Sequence, residues 1–447
     1  MIANLLGLLA ANALFLAAGF GVRRIVGSTH GARTASGVAL TYLVGVASFG
    51  VLAQLLLVAG LALTRAEVIL LALLLLGAGL LRRPRTATPW PDPATRRGWE
   101  TLLGLFAAAV LVAVGVQSLF EPLAAWDAWA FWVPKAKSIV LFNGLDPHFF
   151  AAGPATTNAD YPLLLPAVEA TDFRFMGHFD TQVVHVQFWL VLVAFLGALP
   201  ALLRDQVRPV LLRSLVVVLA CAPGLALHAE SAYADVPLAV FVALAGVLGW
   251  RWLVLREPAA LRLFAVFAAA ALATKVEGRL FVAALVLSLA SIAARDSVRR
   301  SCEPLAAGLV AAVVGLVPWW TWMHVHGVHG AYHADLAGLG SHVHRVGPAL
   351  ASLLGHGLDP LQWLVVLPSG AAALLLASWW RTDRRTAVLV SSTFLLSLGL
   401  LVATYWATPY AFETHLRTSA DRVVIAPVLL VAVLTPVLLE SVLRTTD

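Results

Sequence analysis

The sequence predicts an all-α polytopic membrane protein of about thirteen transmembrane helices, with its N-terminus outside and its C-terminus in the cytoplasm. Three observations carry that expectation. Of 447 residues, 60% are hydrophobic and only 12% charged, with a mean hydropathy of +0.87; a soluble chain needs about twice that charge fraction to cover its surface. Apolar runs of roughly 20 residues, enough to cross a hydrocarbon core of about 30 Å, recur along the whole chain. The arginines alternate from one connection to the next, as the positive-inside rule requires.

Taken in order, the first run, 2–22, is followed by Arg23 and Arg24 and not preceded by positive charge. It reads as an N-out span and not as a cleavable signal peptide. Spans at 37–63 and 67–81 follow, then a Pro- and Arg-rich link, RRPRTATPWPDPATRR, at 82–97. Residues 1–100 form an N-terminal section of three helices and this linker, and residues 101–447 form the main transmembrane core. The core begins with 101–119 and continues with 183–203, 210–227, 236–255, 262–274, 279–294, 304–323, 361–380, 386–406 and 423–441. The run 262–274 is short for a full crossing and also fits a half-helix. Each run is taken as a helix because lipid cannot satisfy open backbone polar groups.

This alternation places 21 of the 30 basic residues inside. The net charge of +6 then reflects topology and an anionic inner leaflet, with no nucleic-acid partner implied. Nine basic residues defy the bias: Arg65, Lys135, Lys137, Arg174, Lys275, Arg279, Arg345, Arg417 and Arg422. They include every lysine of the chain, and twelve of thirteen histidines share their side. The chemistry is therefore expected on the outer face, in the loops 120–182, 324–359 and 407–422 and in the shorter turns near 228–237 and 274–279. The bilayer is the expected environment, and the cytoplasmic membrane the expected location. Cys221 and Cys302 are too far apart in the expected topology to bridge. No Rossmann or P-loop glycine motif occurs, and no non-membrane stretch is long enough for a nucleotide-binding domain.

The stretch EPLAAWDAWAFWVPKAK, 121–137, concentrates this chemistry. An Asp127 carboxylate walled by Trp126, Trp129 and Trp132 is desolvated and suits a general base. An aromatic belt would also place tryptophans here. Lys135 and Lys137 suit a phosphate at headgroup depth, or interfacial snorkelling. If 127–137 is helical the lysines lie two turns on, although Pro134 threatens that helix. In NADYPLLLP, 158–166, Asp160 and Tyr161 precede what reads as a re-entrant or interfacial helix. Lys275 with Glu277 in TKVEGR reads as an ion pair or as a ligand-facing cation with its orienting acid. Arg417, Asp421 and Arg422 in HLRTSADR, with His415 before them, read as an anion clamp or as loop salt bridges. The loop 324–345 has His329 and His333 at i, i+4 spacing but no HExxH pattern, so hydrogen bonding is favoured over metal ligation.

WDAWAFWVPKAKSI, YPLLLP, YADVPLA (233–239), TKVEGRLF (274–281) and HLRTSADRVVIAP (415–427), in this order, resemble the C-type (GT-C) glycosyltransferase superfamily. The closer similarity is to its polyprenyl- or dolichyl-phosphate-sugar group, which includes protein mannosyltransferases and the aminoarabinose transferase. The resemblance covers 101–441. It implies a GT-C-like fold and an inverting transfer, outside the cytoplasm, from a polyprenyl-phosphate sugar donor to an acceptor hydroxyl on a glycan, lipid or protein. It implies Asp127 as catalytic base, and donor-phosphate binding by some of Lys135, Lys137, Lys275, Arg417 and Arg422. Trp126 and Trp129 would face sugar, with Asp160, Tyr161, Glu277, His415 and Asp421 binding substrate or orienting the cations. No cofactor is required, and a divalent metal is left open. The chain departs from the pattern at Ala128, where many relatives carry a second acid, and in having three helices before the core where relatives have one. The rival readings are a transporter or flippase of a lipid-linked glycan, which would move its cargo without bond cleavage, and a lipid-pyrophosphate-dependent glycan polymerase or ligase, for which the histidine-rich loop speaks.

Overall fold

The computed structural model describes residues 1–31, 34–83, 98–151, 158–330 and 332–446. The expected linker 84–97, with Arg85, Arg96 and Arg97, and Arg33 of the first inner connection lie outside the described residues. All regular structure among the described residues is helical. In chain order the helices are α1 Ile2–Val26, α2 Ala35–Val58, α3 Arg65–Leu80, α4 Gly98–Phe120, α5 Val133–Phe142, α6 Pro147–Ala151 and α7 Leu164–Met176. Then come α8 His185–Leu203, α9 Pro209–Ala220, α10 Pro223–Glu230, α11 Asp235–Leu255, α12 Pro258–Thr274, α13 Gly278–Ala293 and α14 Val298–Gly315. The chain ends with α15 Val317–Val325, α16 Val346–Leu358, α17 Pro360–Trp363, α18 Val366–Trp379, α19 Arg384–Trp406, α20 Phe412–Val423 and α21 Ile425–Thr446.

The thirteen expected segments all fall on helix, but 210–227, 304–323 and 361–380 are each divided between two of these helices. Among the described residues eight helices are long and apolar enough to cross a membrane, or up to ten if two bent pairs each count as one. The segment 210–227 is divided into α9 and α10, bent by 54°, where Pro223 begins the second helix without an N–H to continue the first. The segment 361–380 is bent by 109° before α18, where Leu364 takes a left-handed φ of 54°. Helices α3, α12 and α13 have 16, 17 and 16 residues, shorter than a full crossing. The expected 37–63 stops at Val58 because Gly60 turns the chain at φ 77°, after which Thr64 and Glu67 form a capping box for α3.

Close helix contact replaces hydrophobic sorting as the packing force, as expected in a lipid-like solvent. Helix α1 packs on α2 and α3, and α11 packs on α12 and α21. A Cβ on Gly19 would lie 1.9 Å from the Thr41 carbonyl oxygen, and one on Gly45 would lie 1.8 Å from that of Phe15. Only glycine lets these two backbones meet. Outward faces stay apolar, with Leu73, Leu102 and Leu309 all more than half exposed.

The connections assigned to the inner side gather at one end. Arg251 Nη2 holds Asp205 at 2.8 Å and Glu257 at 2.6 Å. Asp296 joins Arg256, Arg300 and Arg385, and Glu440 joins Arg208 and Arg444. Arg262 donates to the Val26 carbonyl at the end of α1. The opposite end collects the chemistry-bearing loops.

Candidate functional site

At that opposite end Asp127 stands where the chain enters a π-helical turn, Ala128–Trp132, that runs directly into α5. Pro134 does not break this helix. It follows on the π-helical turn, whose wider bonding, with the Val133 N–H on the Ala128 carbonyl, leads the chain into α5 without a break. The wide turn sorts the aromatic residues. Trp126 and Trp129 remain 58% and 46% exposed and pack edge to face on each other, while Trp132 is buried and stacks on Tyr161. Asp127 itself is buried.

Its partner comes from almost three hundred residues away. Arg422, on α20, donates from Nη1 to Asp127 Oδ2 at 2.5 Å and lies 3.9 Å from Asp235 Oδ2. The same guanidinium covers the Tyr233 ring at 4.6 Å and donates from Nη2 to the Thr418 carbonyl. Asp235 opens α11, where a carboxylate also meets the positive end of the helix dipole. Its Oδ1 accepts from Lys275 Nζ at 2.7 Å, and Lys275 lies 3.2 Å from Glu277 Oε1. Lys275 follows the last residue of α12 in extended backbone, which turns its side chain back towards α11. The Lys275 ammonium also faces the Tyr161 ring at 5.9 Å. One continuous chain of charges thus links Asp127, Arg422, Asp235, Lys275 and Glu277. Beside it His228 Nε2 lies 3.9 Å from Asp421 Oδ2 and its ring stacks on Tyr233.

Burial lifts the Asp127 carboxyl above its ordinary value, against the pull of Arg422 and then Lys275. Burial alone would lower the Lys275 ammonium, but Asp235 and Glu277 hold it raised. With three acids against two cations, the core of the cluster is not a bare anion hole. Each cation already has a carboxylate, and each carboxylate is oriented by a cation.

The other expected residues are placed differently. Lys135 is fully buried, and its ammonium donates to the carbonyls of Asn158 at 2.6 Å and Tyr161 at 3.0 Å, between the rings of Trp132 and Phe150. It pins the loop that carries Asp160 and Tyr161, enclosed away from any incoming phosphate. Burial lowers its pKa to about 7, with Asp160 opposing. Lys137 lies over the Phe179 ring at 5.6 Å, outside the cluster. Arg417 is exposed, makes no ion pair among the described residues, and sits about 140° round α20 from Arg422. His415 shares the Arg422 face of α20 and binds the Thr408 hydroxyl through Nδ1 at 2.8 Å, among Tyr405 and Tyr410.

Asp160 faces a neighbouring groove of ≈ 580 Å³ lined also by Arg279, Trp320, His324, His329 and Tyr332. Its carboxyl, raised by burial against the pull of Lys135, is packed so closely on Gly330 that a Cβ there would lie 2.5 Å from Cγ. The rest of the histidine-rich loop lies on the end of α19, through Tyr332 to the Thr404 carbonyl and Trp406 to the Leu339 carbonyl. Among the described residues no three His, Cys, Asp or Glu side chains converge as a metal site requires.

Asp235, Tyr233 and His228 lie in the 228–237 turn that the sequence marks as polar, but none of them is singled out there as a site residue. The signal was present, since an acid in the first turn of an apolar span is costly in a membrane unless it is paired. No family model, curated protein or solved structure matches the chain.

Proposed function

We propose that this chain is an inverting glycosyltransferase that moves a sugar from a polyprenyl-phosphate donor to an acceptor hydroxyl. In this reading the chain crosses the cytoplasmic membrane with its N-terminus outside, in a GT-C-like arrangement, and works on the outer face. The observation that carries the proposal is the buried Asp127 carboxylate, held by Arg422 inside a charge chain drawn from four separate regions of sequence. Charges buried together at the end of a membrane bundle mark a site that performs chemistry or selects charge. A carboxyl lifted by burial is matched to taking a proton from a sugar or peptide hydroxyl.

Asp127 takes the hydroxyl proton as the acceptor oxygen bonds to the anomeric carbon. The bond from that carbon to the phosphate oxygen breaks, and the lipid phosphate leaves with the electron pair from the opposite face, which inverts the centre. Arg422 is the cation beside Asp127 to meet the phosphate as its charge grows, with Lys275 acting behind it through Asp235, and such preorganised charge is often the largest catalytic contribution. Asp235 and Glu277 hold these cations in position, and His228 does the same for Asp421. Trp126 and Trp129 present exposed indole faces of the kind that pack on sugar rings. A lipid donor reaches the cluster through the bilayer, which agrees with a chain lacking a nucleotide-binding motif.

The test incubates purified protein with a panel of polyprenyl-phosphate sugars and measures the release of polyprenyl phosphate. Release with one donor, lost in Asp127→Asn, is the expected result. Movement of a lipid-linked glycan across the bilayer with no release from any donor would point to a transporter instead.

A further inference from the structure

Away from the Asp127 cluster, a second cationic cavity of ≈ 660 Å³ lies between the start of α3, the end of α5 and the turn after α7. Arg65 and Arg174 both line it, with His178, Phe179, Thr64 and Leu141. Two guanidinium groups repel, yet here they are packed together. Arg65 Nε donates to the Arg174 carbonyl at 2.6 Å, and Arg174 donates to the Leu63 carbonyl at 3.2 Å and to Asn143 Oδ1 at 2.6 Å. These bonds fix the positions of the two cations without neutralising either.

The nearby acids make their closest bonds elsewhere, although Glu67 attracts Arg174 at longer range and Asp180 lies 4.0 Å from His178. Glu67 closes the capping box on Thr64, and Asp180 accepts from the Asn4 side chain and from the backbone N–H groups of Gln182 and Val183. Neither Arg65 nor Arg174 has a carboxylate within ion-pair distance among the described residues. Lys137 adds a third cation over Phe179, one of the cavity's walls. Gly177 has no side chain to fill the space beside Arg65; a Cβ there would lie 3.5 Å from an Arg65 terminal nitrogen.

The rim of the cavity is greasy. Leu141 at the end of α5 is 67% exposed, and Val140, Phe173 and Phe179 complete the apolar walls. A cationic floor beside an exposed apolar wall fits an amphiphile whose head is anionic. Paired arginines suit the oxygens of a phosphate better than any neutral head. In sequence, Arg65, Lys137 and Arg174 are three of the nine basic residues that the positive-inside rule leaves on the wrong side, and the proposed reaction uses none of them.

We infer that this cavity is a binding site for an anionic phospholipid of the surrounding bilayer. Its phosphate lies between Arg65 and Arg174, and its acyl chains leave past Leu141 into the bilayer. The site ties the N-terminal three helices to α5 and α7 through a bound lipid, independently of the reaction at Asp127.

The experiment is native mass spectrometry of the purified full chain. Phosphatidylglycerol, phosphatidylcholine and a polyprenyl phosphate are added separately, to wild type and to Arg65→Gln. Arg65 is exposed, so its replacement leaves the fold intact, which a thermal melt checks. Wild type is expected to retain phosphatidylglycerol in preference to phosphatidylcholine, and Arg65→Gln to bind it roughly tenfold more weakly. A folded Arg174→Lys variant, which keeps the charge but not the fork, is expected to fall between them. Equal retention of the two phospholipids, unchanged binding in Arg65→Gln, or retention of polyprenyl phosphate in preference to phosphatidylglycerol would overturn the assignment.

Discussion

Asp127 and Arg422 are bound to each other, and in the proposed reaction this pairing sets the response to pH. If Asp127 is the base it works only when ionised, so the rate is expected to fall as pH drops through its raised pKa. Arg422 is the largest influence pulling that value down. Arg422→Gln removes it, so the acid limb of kcat/KM against pH moves to higher pH, alongside a loss of about 10²-fold or more in rate. A limb that stays in place or moves down would separate Arg422 from the base. Lys135 gives a second, structural test. Its folded pKa is about 7, against an ordinary 10.5. Between those values the unfolded chain holds a proton that the folded chain does not, so stability rises with pH across that window. Thermal melts from pH 7 to about 10 are expected to show that rise in wild type and not in Lys135→Met. Parallel curves would show that Lys135 is not a buried, loop-pinning amine.

At the scale of elements, the apolar segments were legible because hydrophobicity over about 20 residues is a strong local signal. Where they bend was not, because each bend depends on tertiary space; Leu364 adopts its left-handed φ in an otherwise apolar stretch. The charged cluster was half legible. Asp127, Lys275, Glu277 and Arg422 stand out as charges beside greasy runs. Asp235 was hidden by its role at a helix start, and the actual place of Lys135 depends on carbonyls 23 to 26 residues away. The α1–α2 contact depends on two glycines that no charge pattern marks. Gly45→Val forces its side chain into the Phe15 carbonyl, and a loss of about 1–3 kcal/mol is expected, as for other overpacked sites. Melting temperature in detergent checks it, and a variant as stable as wild type would contradict the close approach.

For the whole molecule, the partition of loops between two ends is the feature from which the sidedness proposal grows. Cysteine variants at Asp146 and Gly340 belong to the Asp127 end, and variants at Asp205 and Asp296 to the Arg251 end. In a background with Cys221 and Cys302 replaced by serine, an impermeant maleimide on intact cells is expected to label the first pair only. Labelling of the second pair alone would invert the topology. Both ends bury paired charges, Arg251 and Glu440 at one and Asp127, Asp235 and Lys275 at the other. At the Arg251 end, ion pairs between arginines and acids close the connections. At the Asp127 end the charges are buried among Tyr161, Tyr233 and Trp132, where each interaction is strengthened by the low dielectric.

The central claim is that Asp127 is the base in sugar transfer from a lipid phosphate. Its most direct test is a single-turnover measurement with an isotopically labelled polyprenyl-phosphate sugar and saturating acceptor, for wild type, Asp127→Asn and Asp127→Glu. Transfer with inverted anomeric configuration by wild type, a fall of about 10³-fold or more in Asp127→Asn, and partial recovery in Asp127→Glu are expected. Transfer by Asp127→Asn at the wild-type rate, or a product of retained configuration, would contradict that claim.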